Sequence, residues 1–132
     1  MVTGALLEGV KVLSVKGSLD VTVNNITFDS RKVEKGSLFV AVKGHTSDGH
    51  DYIPQALKQG AVAVICETLP ATHAKEVTWV QTNDSAEALG LIASNFYGNP
   101  TSKLKLVGVT GTNGKTTIAT LLYRMFTGLG FK

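Results

Sequence analysis

The sequence has a single cysteine, Cys66, which excludes an internal disulfide and any metal site made of cysteine alone. Proline is scarce, at 3 residues, and no repeat or low-complexity stretch occurs, so the chain is neither collagenous nor disordered. Its apolar runs, of which Ala61–Cys66 is among the longest, fall far short of the roughly 20 residues a membrane helix needs. The opening ten residues lack a basic segment followed by an apolar block, so no secretory signal is expected and the cytoplasm is the expected compartment. No block of five or more like charges exists. The net charge of +3, from 13 Lys and Arg against 10 Asp and Glu, is spread over scattered lysines, and the tightest pair is Lys103 and Lys105. No basic face alternates with aromatics. The expectation is a solvated, mildly basic surface that engages neither nucleic acid nor membrane.

What is present is a globular composition: 132 residues, 43% hydrophobic, 17% charged, with 14 glycines. A chain of this length buries roughly two-thirds of its unfolded surface, enough for a core without staples. A short helix or turn at Leu6–Leu7 and alternating runs through Val23 precede stronger signals. Ile26–Phe28 reads as a strand ended by Asp29-Ser30-Arg31, and Lys35-Gly36 as a turn. Ser37–Val42 and Ala61–Cys66 are dense apolar strands of the kind buried on both faces. Between them a polar loop, 43–50, leads to a helix over Tyr52–Gln59. Asp51 is placed to cap it, Pro54 falls in its first turn and Gly60 beyond its end. Val77–Val80 is a further strand. Asp84 or Ser85 caps a helix whose apolar positions Leu89, Ile92, Ala93 and Phe96 share one face. Gly98-Asn99-Pro100 ends that helix, and Leu104–Val109 reads as a strand, Thr110–Thr117 as a glycine loop and Ile118–Phe126 as a helix.

Strands alternating with helices predict an α/β fold with a mainly parallel sheet. The break at 98–102 divides a small domain, 1–100, from 101–132. The second part is one strand, one loop and one helix, which cannot bury its own apolar faces. It reads as the opening of an unfinished domain, expected to be mobile, repacked, or paired with another copy of the chain.

Residues 107–117, VGVTGTNGKTT, run from an apolar strand through a glycine turn into a helix. Gly111 and Gly114 let the backbone bring N–H groups close to phosphate oxygens. A helix beginning near Lys115 offers free N–H groups and its positive dipole end. Lys115 supplies a point charge for the outer phosphates, and the Thr116 hydroxyl suits a Mg²⁺ shell completed by phosphate and water. The stricter pattern G-x-x-x-x-G-K-[ST] would put its first glycine at Val109, so only the G-K-T end matches in full.

With Thr-Gly-Thr-Asn-Gly-Lys-Thr-Thr in that setting, the sequence resembles the Mur ligases, ATP-dependent amide ligases of peptidoglycan synthesis, whose loop departs from the stricter pattern in the same place. The likeness extends to Phe28–Val33 (FDSRKV), Gly36–Ala41 (GSLFVA), residues 44–51 (GHTSDGHD), Gly60-Ala61 and Asn95–Pro100 (NFYGNP). Together these motifs cover roughly residues 26–132. They are most similar to the member that adds a third amino acid to UDP-N-acetylmuramoyl-dipeptide. The member adding D-Ala-D-Ala shares the DSR and DGHD features, and a non-catalytic UDP-sugar-binding module is a further alternative.

The resemblance implies that 1–100 binds the UDP-sugar and 101–132 begins the central ATP-binding domain. Phe28, Ser30, His45, Thr46 and Ser47 would contact the UDP-sugar. Gly111, Thr112, Asn113, Gly114, Lys115, Thr116 and Thr117 would hold ATP, with Lys115 catalytic and Thr116 on Mg²⁺. It implies a reaction in which a substrate carboxylate attacks the γ-phosphate of ATP, releasing ADP and forming an acyl phosphate. The amine of an incoming amino acid then displaces phosphate to form the amide. On this reading the 132-residue chain alone is inactive. Arg31 is placed either to meet a phosphate or to fix its turn through Asp29. His45 and His50, with Asp48 and Asp51 nearby, read as solvated loop residues rather than metal ligands, and His73 as exposed. Cys66, Trp79 and Phe96 read as packing residues.

Overall fold

A computed structural model describes residues 1–44 and 47–131; His45 and Thr46 lie outside the described residues. The chain divides into two compact units, Met1–Ser102 and Lys103–Lys132.

The first unit is built on α1 (Thr3–Leu6), β1 (Val12–Lys16), β2 (Asn25–Thr27), β3 (Ser37–Val40), α2 (Ile53–Lys58), β4 (Ala61–Cys66), β5 (Thr78–Thr82) and α3 (Ser85–Phe96). The five strands form one sheet in the order β1-β5-β4-β3-β2. β2–β3, β3–β4 and β4–β5 pair parallel, and the edge strand β1 pairs antiparallel to β5. This is the α/β class that the alternating pattern predicts. Side chains two apart share a sheet face, so β3 sends Leu38 and Val40 to one layer and Phe39 to the other. The first layer, with Leu6, Val23, Ala63, Ile65, Val80, Ala88 and Ile92, packs beneath α1 and α3. The second, with Val33, Ile53, Ala56, Val64, Cys66 and Trp79, packs beneath α2. Both faces are covered, which is why β3 and β4 are apolar without alternation.

Several local features differ from the sequence reading. The run through Val21 and Val23 forms no strand. Its backbone instead holds α1 in place, Val21 and Leu19 carbonyls accepting from Thr3 and Gly4 N–H. Asp51 does not cap α2: the preceding residue Tyr52 makes no side-chain cap, and a 3-10 turn, Gly49–Tyr52, is capped by Asp48 instead. Gly60, at φ +100°, follows the last turn of α2 in the left-handed region that glycine tolerates. Asp84 caps α3, its side chain accepting from the Glu87 N–H.

The second unit holds α4 (Lys115–Gly128). Its predicted strand does not form: residues 104–110 carry no strand pairing among the described residues. A parallel strand is held only by its neighbours' hydrogen bonds, and this unit supplies none. Leu104, Leu106, Val107, Ile118, Leu121 and Tyr123 are exposed, and no residue of α4 is buried. No helix among the described residues is long and apolar enough to cross a membrane.

Candidate functional site

In the first unit the chemistry-bearing loops leave the C-terminal ends of β2, β3 and β4, where parallel sheets place their ligand sites. β2 and β3 are in register, with Thr27 opposite Phe39. The segment 28–31 and the loop after β3 therefore emerge side by side. Phe28 is 65% exposed. Ser30 is buried, and its hydroxyl donates to Gln55 Oε1 at 3.1 Å. Ser47 is exposed, whereas His45 and Thr46 lie outside the described residues.

Arg31 resolves to the turn-fixing role. Its Nε and Nη2 donate to the two Asp29 carboxylate oxygens at 2.9 Å each, and its backbone N–H donates to Oδ1 at 3.1 Å. Those bonds favour the carboxylate and hold the Asp29 pKa down at about 2.

His50 is not the solvated residue expected from sequence: its side chain is 18% exposed. Its Nε2 accepts from the Glu67 N–H at 2.9 Å, with the Thr68 N–H at 3.4 Å. Its Nδ1 lies 2.5 Å from Asp48 Oδ1. Beside it, Glu67 Oε1 accepts from the Ser85 N–H at 3.1 Å and hydroxyl at 2.7 Å, and these bonds lower the Glu67 pKa. Lys43, Asp48, His50 and Glu67 rim a cleft of about 380 Å³ floored by Leu57, Leu69, Pro70 and Trp79. Sequence reading missed this network; the Asp48-Gly49-His50 turn was its one local signal. No group of three or more His, Cys, Asp or Glu among the described residues is placed to hold a metal. His73 is exposed and meets Trp79 edge-on. Cys66 is fully buried, and burial pushes its thiol pKa up to about 11.

In the second unit the glycine loop reaches α4 through Gly114, at φ +79°, ψ 0°, a left-handed conformation that strains any other residue. Gly111 is also at positive φ, +149°. No side chain caps α4, so the N–H groups of Lys115, Thr116 and Thr117 face outward, as the first turn of any helix leaves them. Lys115 Nζ folds over the loop and donates to the Gly111 carbonyl at 2.5 Å and the Thr112 carbonyl at 3.3 Å. Lys115 and Thr116, with Val107, Val109, Ala119, Thr120 and Tyr123, line a cavity of about 540 Å³. The Lys115 ammonium, the first-turn N–H groups and the Thr116 hydroxyl form a set that fits a polyphosphate with a mostly hydrated Mg²⁺.

The family model described as "Mur ligase family, catalytic domain" matches residues 22–97. The UDP-N-acetylmuramoyl-L-alanyl-D-glutamate–2,6-diaminopimelate ligase of Cytophaga hutchinsonii is 60% identical over 128 residues, covering 96% of this chain and 26% of that protein. The protein of the same name from Bacteroides fragilis is 52% identical over 127 residues, covering 96% and 26%. Among solved structures, the MurF ligase from Thermotoga maritima in complex with ADP is 35% identical, with a TM-score of 0.56 over 83% of this chain and 24% of that one. A MurF from Acinetobacter baumannii is 29% identical, with a TM-score of 0.57 over 81% and 23%. The chain thus spans about a quarter of the length of the curated relatives it matches.

Proposed function

We propose, from the premise that the chain belongs to the Mur ligase family, that it is the N-terminal part of an ATP-dependent ligase adding 2,6-diaminopimelate to UDP-N-acetylmuramoyl-L-alanyl-D-glutamate. The observation that carries the ATP half is the uncapped start of α4 beneath a left-handed Gly114, with Lys115 over the loop. The identity of 60% to a diaminopimelate ligase supports the choice of substrate. The D-Ala-D-Ala-adding alternative has less behind it, since the MurF structures are 29% to 35% identical.

Residues 1–100 serve as the UDP-sugar domain and 101–132 as the start of the ATP-binding domain. Phe28 offers an exposed ring for a uracil face, and Ser47, with His45 and Thr46, the polar contacts. Ser30 holds its segment against α2 through Gln55, so its part in binding is to shape the wall or to donate after releasing that partner. Around ATP, the backbone N–H groups of 114–117 cradle the β- and γ-phosphates and Lys115 swings from the loop carbonyls to the outer phosphates. Thr116, with phosphate and water, would hold Mg²⁺, which would supply positive charge against that building on the phosphates. The substrate carboxylate takes the γ-phosphoryl group, ADP leaves, and the amine of diaminopimelate displaces phosphate. Selection of the amino acid belongs to sequence outside this chain. The reaction is placed in the cytoplasm, where ATP and UDP-sugars are held.

The test is phosphate release by the intact protein with Mg-ATP and UDP-N-acetylmuramoyl-L-alanyl-D-glutamate. Diaminopimelate is expected to support turnover at a rate at least about a hundredfold above D-Ala-D-Ala, a ratio within reach of a site that pairs its substrate's polar groups. Turnover only with D-Ala-D-Ala on a tripeptide substrate, or none with any amine, contradicts the proposal.

A further inference from the structure

The tautomer of His50 follows from its neighbours. Two backbone N–H groups, of Glu67 and Thr68, converge on Nε2, so Nε2 carries a lone pair and the ring proton sits on Nδ1, donated to Asp48 Oδ1. The imidazole thereby bridges two elements. On one side is the turn that Asp48 caps by accepting the His50 N–H at 2.9 Å. On the other is the backbone just past β4. That turn has little slack: a Cβ at Gly49 would lie 2.6 Å from the Val42 nitrogen and 2.7 Å from its carbonyl oxygen, so the turn sits directly on the end of β3. Ser47 is joined to the same unit, its carbonyl accepting from the Gly44 N–H at 3.0 Å.

We propose that His50 is a positioning residue for the sugar-nucleotide site, tying the Ser47–Asp48 turn to the end of β4 as a neutral imidazole and releasing it on protonation. The inference rests on the sugar-nucleotide reading above. A proton on Nε2 turns an acceptor into a donor facing two donors, which breaks the Glu67 and Thr68 bonds and leaves those N–H groups without their partner. The charged groups facing the ring are Asp48 from its own turn, Glu67 from the end of β4 and Lys43 from the end of β3; α2 and β5 bring Ile53, Pro54, Leu57 and Trp79 to the same cleft. The consequence is sugar-nucleotide binding that weakens when the ring is protonated.

His50→Gln separates this from a general acid effect. Its amide oxygen takes the place of Nε2 as acceptor and is not protonated in mild acid, while Asp48, Glu67 and Lys43 are retained. The experiment uses the intact protein and two readouts: UDP-N-acetylmuramoyl-L-alanyl-D-glutamate affinity by calorimetry, and NMR of the His50 ring nitrogens and the Glu67 amide. Wild type is expected to show a proton on Nδ1 at about pH 8, a loss of Glu67 amide protection in acid, and affinity falling about fivefold or more, the effect of one unmade buried hydrogen bond. His50→Gln is expected to bind within about threefold of wild type at pH 8 and to keep that affinity in acid. His50→Asn, which can reach Asp48 but not Glu67, should bind weakly at both pH values. A ring proton on Nε2 at pH 8, or an equal acid loss in wild type and His50→Gln, overturns the proposal. A protein that shows the amide change but binds no sugar nucleotide at either pH contradicts the sugar-nucleotide reading and leaves the His50 tie standing.

Discussion

Asp29 and Arg31 stand two residues apart in an exposed turn, and their contact is bidentate. The pair's charge chemistry is therefore local and measurable. With a folded-state pKa of about 2 against an ordinary 3.8, the carboxylate contributes to the turn fully above its ordinary value and loses that contribution as pH falls toward 2. Replacing Arg31 by alanine should bring the Asp29 titration back toward 3.8, read from its side-chain carboxyl NMR shift; an unmoved titration would mean that the backbone bond alone sets it. At this scale the sequence was informative in part. The Asp-Ser-Arg turn is legible from residue types, but whether its arginine meets Asp29 or a ligand is not, because both partners are anions. His50 was misread for a related reason. Its partners, Glu67 and Thr68, are backbone groups 17 and 18 positions away, and a main-chain N–H leaves no mark on the sequence.

Elements were legible where the signal is carried by local chemistry. α3 has its stop in Gly98, at φ +74°, and its start in Asp84, whose cap bond to the Glu87 N–H is 2.8 Å. Asp84→Ala should lower stability by about 1 kcal/mol, seen as a lower midpoint in urea with an unchanged slope. No change would mean that packing beneath Ala88 and Ile92 alone fixes the start of the helix. β3 and β4 were recognisable because burial on both faces leaves a continuous apolar run. Leu104–Val109 is also largely apolar, though broken by Lys105 and Gly108, and forms no strand. Apolarity reports that a segment is suited to burial, but strand pairing needs a neighbour, and no composition rule supplies one.

At the scale of the whole molecule, the first unit encloses two apolar layers while the second leaves most of its apolar side chains exposed. The backbone of 104–110, without strand pairing and with Leu106 91% exposed, is the expected first site of limited proteolysis in a chain of residues 1–132. Mass spectrometry should find a resistant fragment ending near residue 103; first cleavage within 61–96 would contradict the two-unit division. The family, by contrast, was legible before any coordinates, since phosphate-binding turns are written in glycine, lysine and threonine at short spacing. What the account depends on is the purpose of the turn before α4. The direct measurement is ATP-dependent phosphate release by the intact protein carrying Lys115→Ala. Removing a cation aimed at the charge developing on the phosphates should lower the rate at least about a hundredfold, with the fold unchanged by circular dichroism. A rate equal to that of the unaltered protein would contradict the account.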